Sequence, residues 1–168
     1  MIRSIFTVCA AVSLLCPTAS AVLESQVLTT KNVSIEMAMA AYKGAIDECK
    51  KSNSNDISIA VVDRAGQVAL LARANNASPH NLELARRKAY TALTFRTTSL
   101  AWRDRTAGDS PYAAQRQLTD VIALGGGVPF MIGADAIGAI GVSGSNGGQT
   151  GDEACAKGGV SAIADQLH

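Results

Sequence analysis

The run ALGGGVPFMIGADAIGAIGVSGSNGGQTGDEACAKGG, residues 123–159, holds twelve of the chain's fifteen glycines. Glycine loses more conformational freedom on ordering than any other residue, so a fold that fixes so many must need bare backbone there. The apolar runs VIAL, VPFMI and AIGAIGVS alternate with these glycines and read as a strand–turn–strand series of two or three strands. Two uses of the glycines stay open on the sequence. They form tight turns and let strands pack closely on a helix, or they leave room for a flat ligand against the sheet, with N–H groups aimed at its carboxylates. The working expectation is the second: bare main chain making space for a planar guest.

Other glycine chemistries fail on detail. No Lys-Ser/Thr follows GGG, so there is no phosphate loop of the Walker type, and GAIGVSGSNGG lacks the G-x-G-x-x-G order that opens a dinucleotide-binding helix. Ser143 is followed directly by Gly144, which breaks the G-x-S-x-G elbow of a serine hydrolase. The histidines are His80 and His168, and no histidine–carboxylate–nucleophile set is legible. No catalytic residue is assigned, and whether the chain is an enzyme stays open.

The rest of the chain reads as helices and a hairpin. Ser34 caps a helix over residues 34–53, with Ile35, Met39, Tyr42 and Ile46 at helical spacing as its apolar face. Ile57, Ile59 and Val61 alternate, DRAG turns the chain, and Val68 to Ala72 returns, which makes a β-hairpin. NNASPH leads into a helix, capped by Asn or Ser, with Leu82, Ala85, Ala89 and Leu93 inward and Glu83, Arg86 and Arg87 outward. A short helix begins near Ser99 and carries Trp102, TAGDSPYAAQ is a loop, and GDEACAKGGVSAIADQL closes the chain as a helix. The order α, β, β, α, α, two or three strands, α predicts an α/β (α+β) domain with an antiparallel sheet flanked by helices.

With 15 Lys+Arg against 14 Asp+Glu, no charge excess attracts nucleic acid or an anionic membrane. Arg3, an apolar stretch from Ile5 to Cys16 and the ending Ala19-Ser20-Ala21 read as a signal peptide over residues 1–21, too short for a membrane span. The expected product is a periplasmic or secreted protein of residues 22–168. Export leaves Cys49 and Cys155 where disulfides persist. They either bridge or remain two buried thiols.

Beyond these local readings, IAVVDRAGQVALLAR, ARRKAYTALTF and LGGGVPF followed by GAIGVSGSNGGQTGDEACAKGGVSAI resemble the GlcG/HbpS family, with the blocks in family order across residues 34–166. Its members include an extracellular haem-binding protein and the C-terminal domain of PduO-type corrinoid adenosyltransferases. The resemblance implies a compact α/β domain, a homo-oligomer, and a small-molecule ligand that is haem or a related tetrapyrrole. An enzyme acting on haem or a small organic acid, and an accessory protein without ligand, are the alternatives.

Carried over residue by residue, the resemblance matches Val61, Val62, Asp63 and Gly66 to a hairpin turn, in which Asp63 caps the turn or contacts the ligand. It places Arg73 and Lys88 as partners for anionic groups, Lys88 having a solvated helix face as its alternative. Tyr90, Gly126, Gly127, Pro129, Ser143 and Gly144 join them as ligand-binding residues. His80 is the candidate haem iron ligand and metal residue, with an exposed capping role as its alternative. The corrinoid-enzyme domain carries a histidine nearer its N-terminus that the first helix here lacks, so Tyr90, Tyr112 and Met131 stand as further iron ligands. Asp152 and Glu153 match an acidic helix start, where the helix dipole favours carboxylates; pointing into a pocket, they would instead meet a metal or cation.

Overall fold

The computed structural model describes residues 27–168, so the signal-peptide expectation lies outside the described residues. Helix α1 spans Ile35–Lys51, strands β1 and β2 span Ser58–Asp63 and Val68–Arg73, and helices α2 and α3 span Asn81–Phe95 and Ser99–Arg105. Strands β3 and β4 then span Gly127–Ile132 and Asp135–Ser143, and helix α4 spans Gly148–Ser161. The strands form one sheet in the order β2-β1-β4-β3, antiparallel at every pairing. The predicted fold class holds: an antiparallel sheet between helices.

Each sheet face has its own packing logic. Ile59, Val61, Val128, Phe130, Ile140 and Val142 alternate onto the face covered by α1 and α4, forming the larger core. The opposite face is built from small residues. Val62, Ala139, Ala89 and Ala92 make the minor core beneath α2. Gly127 and Gly141 are register partners there, and a Cβ on either would lie 2.0 or 2.1 Å from the carbonyl oxygen of Lys88 or Ala85 on α2. The glycines thus let helix backbone touch sheet backbone. This overturns the expectation of a guest space at these positions, because α2 already occupies it.

Helix α1 begins as expected, Ser34 Oγ accepting from the Met37 N–H at 3.1 Å. Its expected apolar face is only partly inside: Ile35 is 49% and Met39 57% exposed, while Tyr42 and Ile46 are half-buried at the core margin. The buried stripe is Ala38, Ala41, Ala45 and Cys49. The reason lies in α4, which presses so close that a Cβ on Gly44 would fall 2.5 Å from the Ala162 Cβ. Only small side chains fit that seam. Cys49 and Cys155 are disulfide-bonded across it, Cα atoms 5.0 Å apart and 106 residues apart in sequence.

Three local expectations change. VIAL forms no strand; Val121 O accepts from the Arg87 guanidinium and Ile122 N donates to Thr91 Oγ1 at 2.9 Å, so side chains of α2 take the bonds a neighbouring strand would have taken. Neither Asn nor Ser side chain caps α2; His80 stands at the cap without a side-chain bond, and Asn81 turns inward to accept from Ser143 Oγ at 3.2 Å. The TAGDSPYAAQ loop runs into a 3-10 turn at Ala113–Gln117. Among the described residues no helix is long and apolar enough to cross a membrane.

Two outcomes follow. Gly127→Ala and Gly141→Ala should each destabilise by about 1–3 kcal/mol or more through overpacking, whereas Gly133→Ala, with open space around its Cβ, should cost only about 1 kcal/mol for its positive φ; equal melting temperatures for the three would contradict the packing. Reduction of the disulfide should lower thermal stability by about 2–5 kcal/mol, read by calorimetry with and without a thiol reductant, and an unchanged transition would contradict a stabilising bridge.

Candidate functional site

With the sheet–helix interface filled, space for a ligand lies at the margins. A polar cleft of about 250 Å³ opens at the C-terminal end of α2, lined by Arg64, Gly66, Tyr90, Leu93, Thr94 and Arg96 among others. Its first wall is the β1–β2 turn. Asp63 Oδ1 accepts from Ala65 N and Gln67 N, both at 2.9 Å, which is the turn-capping role expected of this residue. Asn32 Oδ1 accepts from Arg64 N at 2.8 Å and pins the turn from outside. Gly66, at φ +77°, is a position where bareness matters: a Cβ there would come within 2.7 Å of the Tyr90 ring, which lies against the turn.

The second wall is the last turn of α2. Arg96 ends the helix in the left-handed region at φ 53°, a place more often held by glycine. The cleft therefore brings a phenol, a threonine hydroxyl and two guanidinium groups together beside the apolar Leu93.

A different chemistry occupies the other expected residues. Lys88 is not on a solvated face; its side chain is 3% exposed and passes the bare backbone of Gly126 to reach Asp152 on α4. Nζ donates to Asp152 Oδ2 at 2.7 Å and to Val142 O at 3.0 Å, and Asp152 Oδ1 accepts from Ser145 N at 2.8 Å. Burial holds the Lys88 amine below its ordinary value, and the Asp152 charge opposes that shift. Because α4 begins at Gly148, Asp152 sits in its second turn and serves as this anchor rather than as a cap. Glu153 is also buried and pairs through Oε1 with Lys157 at 2.8 Å.

The remaining candidates do not converge on one place. His80, exposed, stands about 15 Å from Tyr90 along the axis of α2, ten residues away at 1.5 Å each. Arg73 lies at the His80 end, donating to Ala77 O at 3.0 Å, and Ser143 and Gly144 meet Asn81 there. Gly126 and Gly127 flank Lys88, and Pro129 is buried on the edge strand β3 opposite Ala139. Tyr112 is exposed under the Arg105 guanidinium, 4.2 Å from its ring centre, and Met131 is half-buried on β3. Of the expected residues, Tyr90 alone lines the polar cleft. Arg64 and Arg96 were missed by sequence reasoning; Arg64 carries a signal, its place inside the DRAG turn, whereas the left-handed cap at Arg96 has none.

Comparison with known proteins places this geometry in context. The sequence matches the family described as haem-degrading, HbpS-like, over residues 33–161. Protein GlcG of Escherichia coli K12 is 32% identical over 112 residues, covering 66% of this chain and 81% of GlcG. The crystal structure of HbpS superposes with a TM-score of 0.75 at 26% identity, covering 85% of this chain and 96% of that one. A PduOC:haem complex superposes at 0.69 with 22% identity over 78% of this chain and 94% of the other, a likeness of fold.

The Lys88–Asp152 pair makes its own prediction. Asp152→Ala leaves a buried ammonium unpaired and should cost about 3–5 kcal/mol in chemical denaturation. The double variant Lys88→Met, Asp152→Leu should recover much of that loss, and a double variant no more stable than Asp152→Ala would contradict the charge-burial account.

Proposed function

The chain belongs to the HbpS-like family, and from that premise we propose that it is an exported protein that binds haem or a related tetrapyrrole as a homo-oligomer, at the cleft beside Tyr90. The observation that carries the reading is the Tyr90 phenol, which lines the polar cleft and has no hydrogen-bond partner among the described residues. Tyrosine is one of the side chains that hold haem iron. The neighbouring Arg64 and Arg96 suit carboxylate substituents, and Leu93 offers apolar contact.

The cleft's size supports the oligomer. At about 250 Å³ it falls below the ~300–1,000 Å³ of pockets that enclose a ligand. A tetrapyrrole seated there leaves one part uncovered, and a second copy of the chain is the proposed cover. When bound, the haem iron supplies the electronic chemistry. The protein's residues orient the ring and hold its acidic edge.

A second reading puts the iron on His80, because that imidazole is exposed and bonds to nothing among the described residues. Arg73, Ser143 and Gly144 then form its surroundings, while Lys88, Gly126, Gly127 and Pro129 stand further along α2 and the sheet, outside that site. Titrating the purified protein with hemin decides between the two. The proposal expects a Soret band that shifts or weakens at least tenfold in affinity in Tyr90→Phe and is unchanged in His80→Ala. The reverse pattern moves the iron to His80, and the absence of any Soret change with hemin removes the haem reading altogether.

A further inference from the structure

We infer that the cleft at the end of α2 is an oxyanion site, in which Arg64 and Arg96 bind a carboxylate or phosphate group of the ligand while Asp135 competes for Arg64. This deepens the reading of the same cleft, yet it concerns the acidic part of the ligand and needs no iron.

The protein's arginines differ in how far their bonding is satisfied. Arg86, also on α2, is saturated, with Glu83 at 2.8 Å and Asp120 at 2.7 Å. Arg103 pairs with Asp104 at 2.7 Å and donates to Gln149 at 2.8 Å. Arg96, by contrast, has no hydrogen bond or ion pair among the described residues. Arg64 has one loose partner, Asp135 at 3.6 Å, whose side chain is 61% exposed. Two guanidiniums thus share one cleft with the Tyr90 and Thr94 hydroxyls, none of which is bonded to protein among the described residues except Arg64, through the loose Asp135 pair. Arginine's planar fork matches carboxylate and phosphate oxygens in pairs.

The backbone turn that carries Arg64 and the Tyr90 ring are also held in place before a ligand arrives. Arg64 leaves a turn held by Asp63 and Asn32 through three hydrogen bonds of 2.8–2.9 Å, and the Tyr90 ring is fixed against Gly66. Fixing donors before the ligand arrives lowers the entropy lost on binding. Arg96 keeps a side chain at a backbone position where glycine is less strained. One structural role competes for it: as a cation at the C-terminus of α2, it complements the helix dipole. That role affects stability and leaves ligand affinity untouched, so the two separate by measurement. Asp135 meanwhile shows that Arg64 faces a carboxylate at the cleft margin, and a ligand group has to displace it.

The test is calorimetric titration of the iron-free protein with succinate and, separately, inorganic phosphate, each compared across variants. Saturable binding of at least one anion is expected, weakened at least tenfold in Arg64→Gln and in Arg96→Gln and tightened severalfold in Asp135→Asn. The tighter of the two anions identifies the group. Absence of binding by both, or affinity unchanged in the arginine variants, overturns the inference. An Arg96→Gln variant that melts lower while binding as before assigns Arg96 to the helix end and also overturns it. Hemin and hemin dimethyl ester separate this inference from the haem reading. Equal binding of both sinks the oxyanion site and leaves haem binding standing, whereas anion binding without hemin binding sinks the haem reading alone.

Discussion

The carbonyl oxygens of Lys88 and Ala85 stand where the Cβ atoms of residues 127 and 141 would be, and this contact between helix backbone and sheet backbone governs the rest of the molecule. A helix seated that closely leaves no slot between layers at residues 127 and 141, and the polar cleft opens instead at the C-terminal end of α2. It also leaves the minor core with little apolar area, only Val62, Ala89, Ala92 and Ala139 at its centre. The larger core beneath α1 and α4 supplies most of the hydrophobic stabilisation by buried area.

Lys88 ties the two helical layers together around the sheet. Its backbone forms the contact with Gly127, and its side chain crosses to Asp152 on α4. One residue thus fixes the depth of α2 and its link to the opposite layer. The Cys49–Cys155 disulfide does the corresponding work within the α1–α4 layer.

Much of the fold was legible in the sequence because local chemistry decided it. The Ser34 cap, the Asp63 turn, the hairpin, the short helix bearing Trp102 and the antiparallel arrangement all depend on neighbouring residues. What was not legible depends on distant ones. Ile35 and Met39 satisfy helical spacing, but the close seam with α4 is filled by small residues and the Cys49–Cys155 bridge and leaves them outward. Lys88 sits beside two arginines in sequence, and nothing local announces a buried carboxylate 64 residues later. VIAL has strand composition, but Arg87 and Thr91 capture its backbone. The site suffered most, since a cleft made by a turn, a helix end and the start of β4 exists only after folding.

The proposed ligand seat is the Tyr90 end of α2 and not the space between sheet and helix. Paramagnetic broadening of backbone amide signals by substoichiometric hemin maps the seat directly. Selective loss of signals from residues 64–66 and 90–96 is the predicted result. Broadening confined to residues 126–127 and 141–144, or centred on His80, would contradict it.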